Sequence, residues 1–89
     1  MISISQSPRF LRSLKKRIAK NPELTERYRE KLQEFINDPY SPSLKTHKLH
    51  GRLKDLSAFS LTHELRIAFY FAEPNKVVFE DIGTHDEVY

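Results

Sequence analysis

Midway along this 89-residue chain the spacing of apolar residues changes from that of a helix to that of a strand. In the first half, Phe10, Leu11, Leu14 and Ile18 recur at helical spacing, with Arg9, Arg12, Lys15, Lys16 and Lys20 on the opposite face. Leu24, Tyr28, Leu32, Phe35 and Ile36 form a second stripe of the same kind. In the second half the period falls to two. Phe59 and Leu61 alternate with Ala58 and Ser60, and Leu65, Ile67, Phe69 and Phe71 alternate with Arg66, Ala68 and Tyr70. A chain divided this way buries its helical stripes against one face of a sheet, which is the α+β arrangement.

Local signals set the element borders. Ser7-Pro8 and Asn21-Pro22 each read as an N-cap followed by proline at the first helical position. Asp38-Pro39 stops the second helix, and two helices joined so tightly predict an antiparallel hairpin. Ile2 and Ile4 alternate with serines and predict a short first strand. Pro39, Pro42 and Gly51 disfavour regular structure, so residues 39–52 read as a loop. A turn at Glu73-Pro74-Asn75-Lys76 leads to a last strand over residues 77–82.

The expected order is β-α-α-β-β-β in a single domain, residues 1–89. Its N-terminal strand and helical hairpin pack on one face of a roughly four-stranded, antiparallel-rich sheet. Leu14, Ile18, Leu32, Phe35, Ile67 and Phe69 are expected to be nearly fully buried, and Tyr28, Phe59 and Phe71 are assigned to the core. The other sheet face is expected to be open, with Ser60, Arg66, Ala68 and Tyr70 looking outward.

Composition narrows the function classes. A hydrophobic fraction of 38% makes a thin core in a chain of this size. With no cysteine there is neither a disulfide framework nor a thiolate nucleophile. No apolar run approaches the roughly 18 residues a bilayer span needs, and Met1 to Ser5 lack signal-peptide character. A soluble, cytoplasmic protein with no membrane partner is expected. The net charge of +3 is modest, but its distribution is uneven. Lys45, Lys48, Arg52, Lys54 and Arg66 face only Asp55 and Glu64 within residues 44–66. Residues 73–87 hold Glu73, Glu80, Asp81, Asp86 and Glu87 against Lys76 alone.

Four histidines, His47, His50, His63 and His85, all fall in the second half. His85 lies just past the predicted last strand, on a rigid element yet near solvent, and Tyr89 follows four residues later. Histidine titrates near neutrality, lysine and arginine hold phosphate, and an aromatic ring stacks on a base. Together these residue types point to chemistry on RNA. His47-x-x-His50 without cysteine or a third ligand is a weak metal signal, so neither a metal nor another cofactor is expected. Each of these residues has an ordinary alternative. Arg66 could pair with Glu80 across the hairpin, and the basic loop could be merely a solvated one.

The predicted element order, His47-Lys-Leu-x-Gly51, the mid-strand Arg66 and the Gly83-Thr84-His85-x-x-x-Tyr89 ending resemble the RelE superfamily. Within it, the YafQ-like toxins of bacterial type II toxin–antitoxin systems are the most similar group. The resemblance spans the whole length, with its specific motifs in residues 47–89. It implies a ribosome-dependent mRNA endonuclease held inactive by a small, partly disordered antitoxin with an acidic segment. It also implies mRNA in the ribosomal A site and ribosomal RNA as partners. His47, Glu64, Arg66 and His85 match catalytic positions of the family, and Tyr89 matches an aromatic near the site. Ser60 stands where YafQ-like members often carry a histidine, and Leu65 where they often carry an aromatic residue.

Such enzymes cut RNA without a metal, by attack of its own 2′-OH on the adjacent phosphate. On this reading Glu64 or His47 takes the proton, His85 returns one, and Arg66 with Lys48 steadies the phosphate. Lys45, His50, Arg52, Lys54 and His63 join Lys48 and Tyr89 as candidate RNA contacts. Two other readings stay open: a non-catalytic, ParE-like toxin acting on gyrase, and a decayed toxin that only binds its antitoxin.

Overall fold

In the computed structural model, which describes residues 2–49 and 55–88, both proline-led helices begin where the sequence places them. The Ser7 hydroxyl accepts from the Phe10 N–H at 3.0 Å and opens α1, Pro8–Arg17. The Asn21 side chain accepts from the Leu24 N–H at 3.1 Å and opens α2, Pro22–Asn37. Each cap satisfies a donor that the first helical turn leaves unpaired.

The strands are β1 (Ser3–Gln6), β2 (His47–Lys48), β3 (Ser57–Ser60), β4 (Leu65–Glu73) and β5 (Lys76–Thr84). They form one sheet in the order β1-β5-β4-β3-β2, with β1 parallel to β5 and every other pair antiparallel. The sheet thus has five strands where about four were expected. The extra one is β2, which lies inside the stretch read as a loop. Two residues are too few to show periodicity. His47 and Lys48 extend because they pair with Ala58 and Ser57. Ahead of them, Pro42–Leu44 form a 3-10 turn. A four-residue helix, α3 (His85–Val88), ends the described chain.

The core is aromatic. Phe35 of α2 stacks on Phe59 at 4.9 Å and meets Phe69 and Phe79 edge-on at 5.0 and 5.4 Å. Phe10 of α1 closes the group against Phe79 at 5.3 Å. Ile18, Leu44, Leu61, Ile67, Val77 and Ile82 are buried around them. Four of the six residues expected to be deeply buried are so: Ile18, Phe35, Ile67 and Phe69. Leu14 and Leu32 are only half-buried, because they line an apolar groove of about 300 Å3 between the helices. Tyr28 is half-buried too, while Leu11 and Phe71 are 46% and 37% exposed. Alternation marked Phe71 as core, but no helix reaches that far along β4.

The second sheet face is not fully open. Leu49 and Leu56 pack over Ala58 and Ala68, both of which are buried. A β-bulge interrupts the β4–β5 ladder: Ala68 pairs with Asp81 and Phe69 with Phe79, leaving Glu80 as the extra residue. Helix α1 is fastened at this bulge. The Ser7 hydroxyl donates to the Glu80 carbonyl at 2.9 Å, Ser13 donates to Asp81 at 2.6 Å, and Arg9 pairs with Asp81 at 3.4 Å.

Candidate functional site

Arg66 lies between Ser60 of β3 and Gly83 of β5. Small residues on both sides leave room for its long side chain. Its guanidinium turns back and donates to the carbonyls of Thr62 at 2.8 Å and His63 at 3.1 Å. The turn supplying those carbonyls is itself fixed, since the Thr62 hydroxyl accepts from the N–H groups of Glu64 and Leu65 at 3.2 and 3.0 Å. Arg66 lies opposite Gly83, three residues along β5 from Glu80. Among the described residues no carboxylate lies within ion-pair distance of this arginine.

The guanidinium borders a polar pocket of about 220 Å3. Arg27 and Lys31 of α2, Lys45, Ser60 and His63 border it as well. Lys45 holds the left-handed conformation (φ 54°), rare for a residue with a β-carbon, and its N–H donates to Pro42 at 3.2 Å. The next residue anchors the same loop, as the Thr46 hydroxyl donates to the Pro39 carbonyl at 2.5 Å. Lys31 is tethered to Glu34 at 3.8 Å and donates to the Ser43 carbonyl at 3.4 Å. Arg27 and Lys31 did not stand out in the sequence. Their spacing of four, which puts both on one face, is the signal that was there.

Glu64, His47, Lys48 and His85 are not among the residues that border this pocket. Glu64 borders a neighbouring cavity of about 390 Å3 at the start of α2, beside Glu23. That cavity shares Arg27 and Thr62 with the first. His47 and Lys48 are exposed on the edge strand β2, and His47 Nδ1 lies 2.9 Å from the Lys45 carbonyl. His47, Ala58 and Ala68 form the row next to Ser60, Arg66 and Gly83. His50, Arg52, Lys54 and Tyr89 lie outside the described residues.

His85 is the first residue of α3, two positions beyond the Gly83 that pairs with Arg66. Its helix has a reciprocal cap. The Thr84 hydroxyl accepts from the Glu87 N–H at 3.3 Å, while the Glu87 carboxylate accepts from the Thr84 N–H at 2.8 Å. Arg17 of α1 donates to both Glu87 oxygens, at 2.9 and 2.8 Å. The Thr84 N–H holds the Glu87 carboxyl below its usual range, with the Thr84 hydroxyl and Arg17 adding to the effect. Thr84-x-x-Glu87 is a capping box legible in the sequence, although Arg17 as its clasp is not.

Among the described residues no three His, Asp or Glu side chains converge as a metal site would require. Among the described residues no helix is long and apolar enough to cross a membrane.

No protein-family model and no curated protein matches the sequence. Solved structures do. YafQ from Escherichia coli strain BL21(DE3) superposes with a TM-score of 0.78 at 17% identity, over 100% of this chain and 99% of that one. The YoeB–YefM complex from Staphylococcus aureus gives 0.76 at 19% identity, over 96% and 98%. A metal-bound toxin from Helicobacter pylori gives 0.79 at 24% identity, over all of both chains. The fold is the RelE-type toxin fold. The likeness spans the whole chain for YafQ and for the Helicobacter pylori toxin. At these identities the likeness is one of architecture, and fold by itself does not carry function.

Proposed function

We propose that the chain is a toxin of the RelE superfamily, closest to the YafQ group, that cuts mRNA on the ribosome and is neutralised by a cognate antitoxin. The observation that carries the reading is the Arg66 pocket on a toxin fold. A guanidinium held by backbone carbonyls and not neutralised by a carboxylate among the described residues leaves its remaining N–H groups for an anion. Histidines flank that pocket, with His63 at its rim and His47 one row along the sheet.

In the proposed reaction the RNA 2′-OH attacks the adjacent phosphorus and the 5′-oxygen leaves. The 2′ proton passes to Glu64 or His47, and His85 protonates the leaving oxygen. Arg66 and Lys48 stabilise the charge that develops on the phosphorane. Each well-placed acid or base contributes about 10²–10⁴-fold. Antitoxin complexes of the fold, such as YoeB–YefM, support a partner of that kind for this chain. Its acidic segment would lie on the cations around Arg66.

Purified protein added to translating ribosomes should cut the mRNA, and a single 2′-deoxy substitution at the scissile nucleotide should stop it. Cleavage of the deoxy substrate would overturn the mechanism. One observation favours a second reading, a non-catalytic binding toxin: Glu64 borders a different cavity from Arg66. Growth arrest by a protein that leaves ribosome-bound mRNA intact would decide for it.

A further inference from the structure

Arg27 and Lys31 come from a helix that has no place in the proposed cleavage chemistry. Both nevertheless border the Arg66 pocket, opposite Lys45 on its looped turn. The pocket thus takes cations from three separate parts of the chain: α2, the 39–46 turn and β4. Ser60 and Thr62 add hydroxyls between them. Five basic side chains, counting His63, border about 220 Å3 of polar space. Lys31 is paired with Glu34, which also holds Ser41 and Ser43, and Arg27 lies 4.0 Å from Glu30. Lys45 and Arg66 have no ion pair among the described residues, so the pocket keeps positive charge that a ligand can neutralise. The left-handed Lys45 backbone adds a local cost of the kind found where a side chain is held for use.

From this arrangement we propose that the pocket is a phosphodiester-binding site in which Arg27 and Lys31 grip the RNA backbone at a phosphate other than the one being cut. The inference rests on the RNA reading above and extends it to α2. The Arg27 guanidinium fork suits the paired oxygens of a phosphodiester, and Lys31 beside it adds point charge, while Arg66 is left for the phosphate being cut. An extended acidic peptide is the competing occupant, and the experiment includes it.

The test is fluorescence anisotropy of a labelled, uncleavable 2′-O-methyl single-stranded RNA, measured across a potassium chloride series. In Arg27→Gln/Lys31→Gln the plot of log affinity against log salt should be shallower by about 0.7, the loss of one phosphate contact. At 0.1 M salt that slope corresponds to about fivefold weaker binding. The charge-retaining Arg27→Lys/Lys31→Arg pair should keep most of the slope, and Lys15→Gln/Lys16→Gln on α1 should leave it near wild type. The proposal is overturned if the Gln pair binds RNA like wild type, or if the α1 pair weakens it equally. It is also overturned if the Gln pair loses binding only to a polyglutamate peptide. Should the Gln pair unfold, Arg27→Gln alone, at an exposed position, carries the same comparison. If wild type cuts no mRNA on ribosomes yet the slope still falls in the Gln pair, the nuclease reading fails while this pocket stands.

Discussion

Arg66 combines two demands that a lysine cannot meet together. Its guanidinium reaches the Thr62 and His63 carbonyls while still bordering the pocket. A lysine ammonium is a point charge and lacks the fork. Arg66→Gln should therefore lower single-turnover cleavage on programmed ribosomes by about 10²–10³, the usual effect of removing one donor that stabilises developing charge. Arg66→Lys should recover only part of that, and full recovery would show that charge alone suffices. Tyr89, outside the described residues, is expected to stack on a base beside the cut, at about 1–3 kcal/mol. Tyr89→Phe should then keep most of the activity and Tyr89→Ala should lose it.

Among the elements, α3 is the most dependent on its surroundings. Four residues are far too few for a helix stable in isolation. It is held by the Thr84–Glu87 cap and by Arg17 reaching from α1. The cap needs Glu87 ionised. Because its carboxyl is held below the usual glutamate value of 4.5, the cap's contribution is fully present above that value and is lost as pH falls through the depressed one. The Thr84 amide resonance should accordingly titrate with an inflection below pH 4.5 in the wild type. That inflection should vanish in Glu87→Gln. Since His85 begins the helix, Arg17→Gln and Glu87→Gln should also broaden or shift the His85 ring resonances. Unchanged His85 signals would show that the strand end positions this residue without the clasp.

For the whole molecule, stability rests on a few rings. Phe35 touches Phe59, Phe69 and Phe79 at once. Phe35→Ala should cost about 3–5 kcal/mol, a large share of the roughly 5–15 kcal/mol that holds a small domain together. The urea midpoint should fall by more than about 1 M. Leu14→Ala should cost clearly less, because Leu14 lines the open groove between the helices instead of the closed core. Equal losses at the two sites would mean that the groove is closed in solution.

Elements with a local cause could be read from the sequence. Ser7-Pro8 and Asn21-Pro22 cap their own helices, and alternation from Leu65 to Phe69 marks β4, because in both cases the deciding contacts lie a few residues away. The order from β1 to α2 and from β3 to β5 was legible for the same reason, whereas Arg66, His63 and Lys45 stood out by residue type and by resemblance. What tertiary structure decided depends on partners distant in the chain. β2 is a strand only because β3 offers it hydrogen bonds, and α1 is fastened only because Glu80 and Asp81 of β5 meet its Ser7, Arg9 and Ser13. Arg27 and Lys31 join the pocket only because α2 packs where the 39–46 turn and β4 bring their own cations. Periodicity records which face a residue occupies, but the residues on the facing element are fixed only when the two surfaces meet.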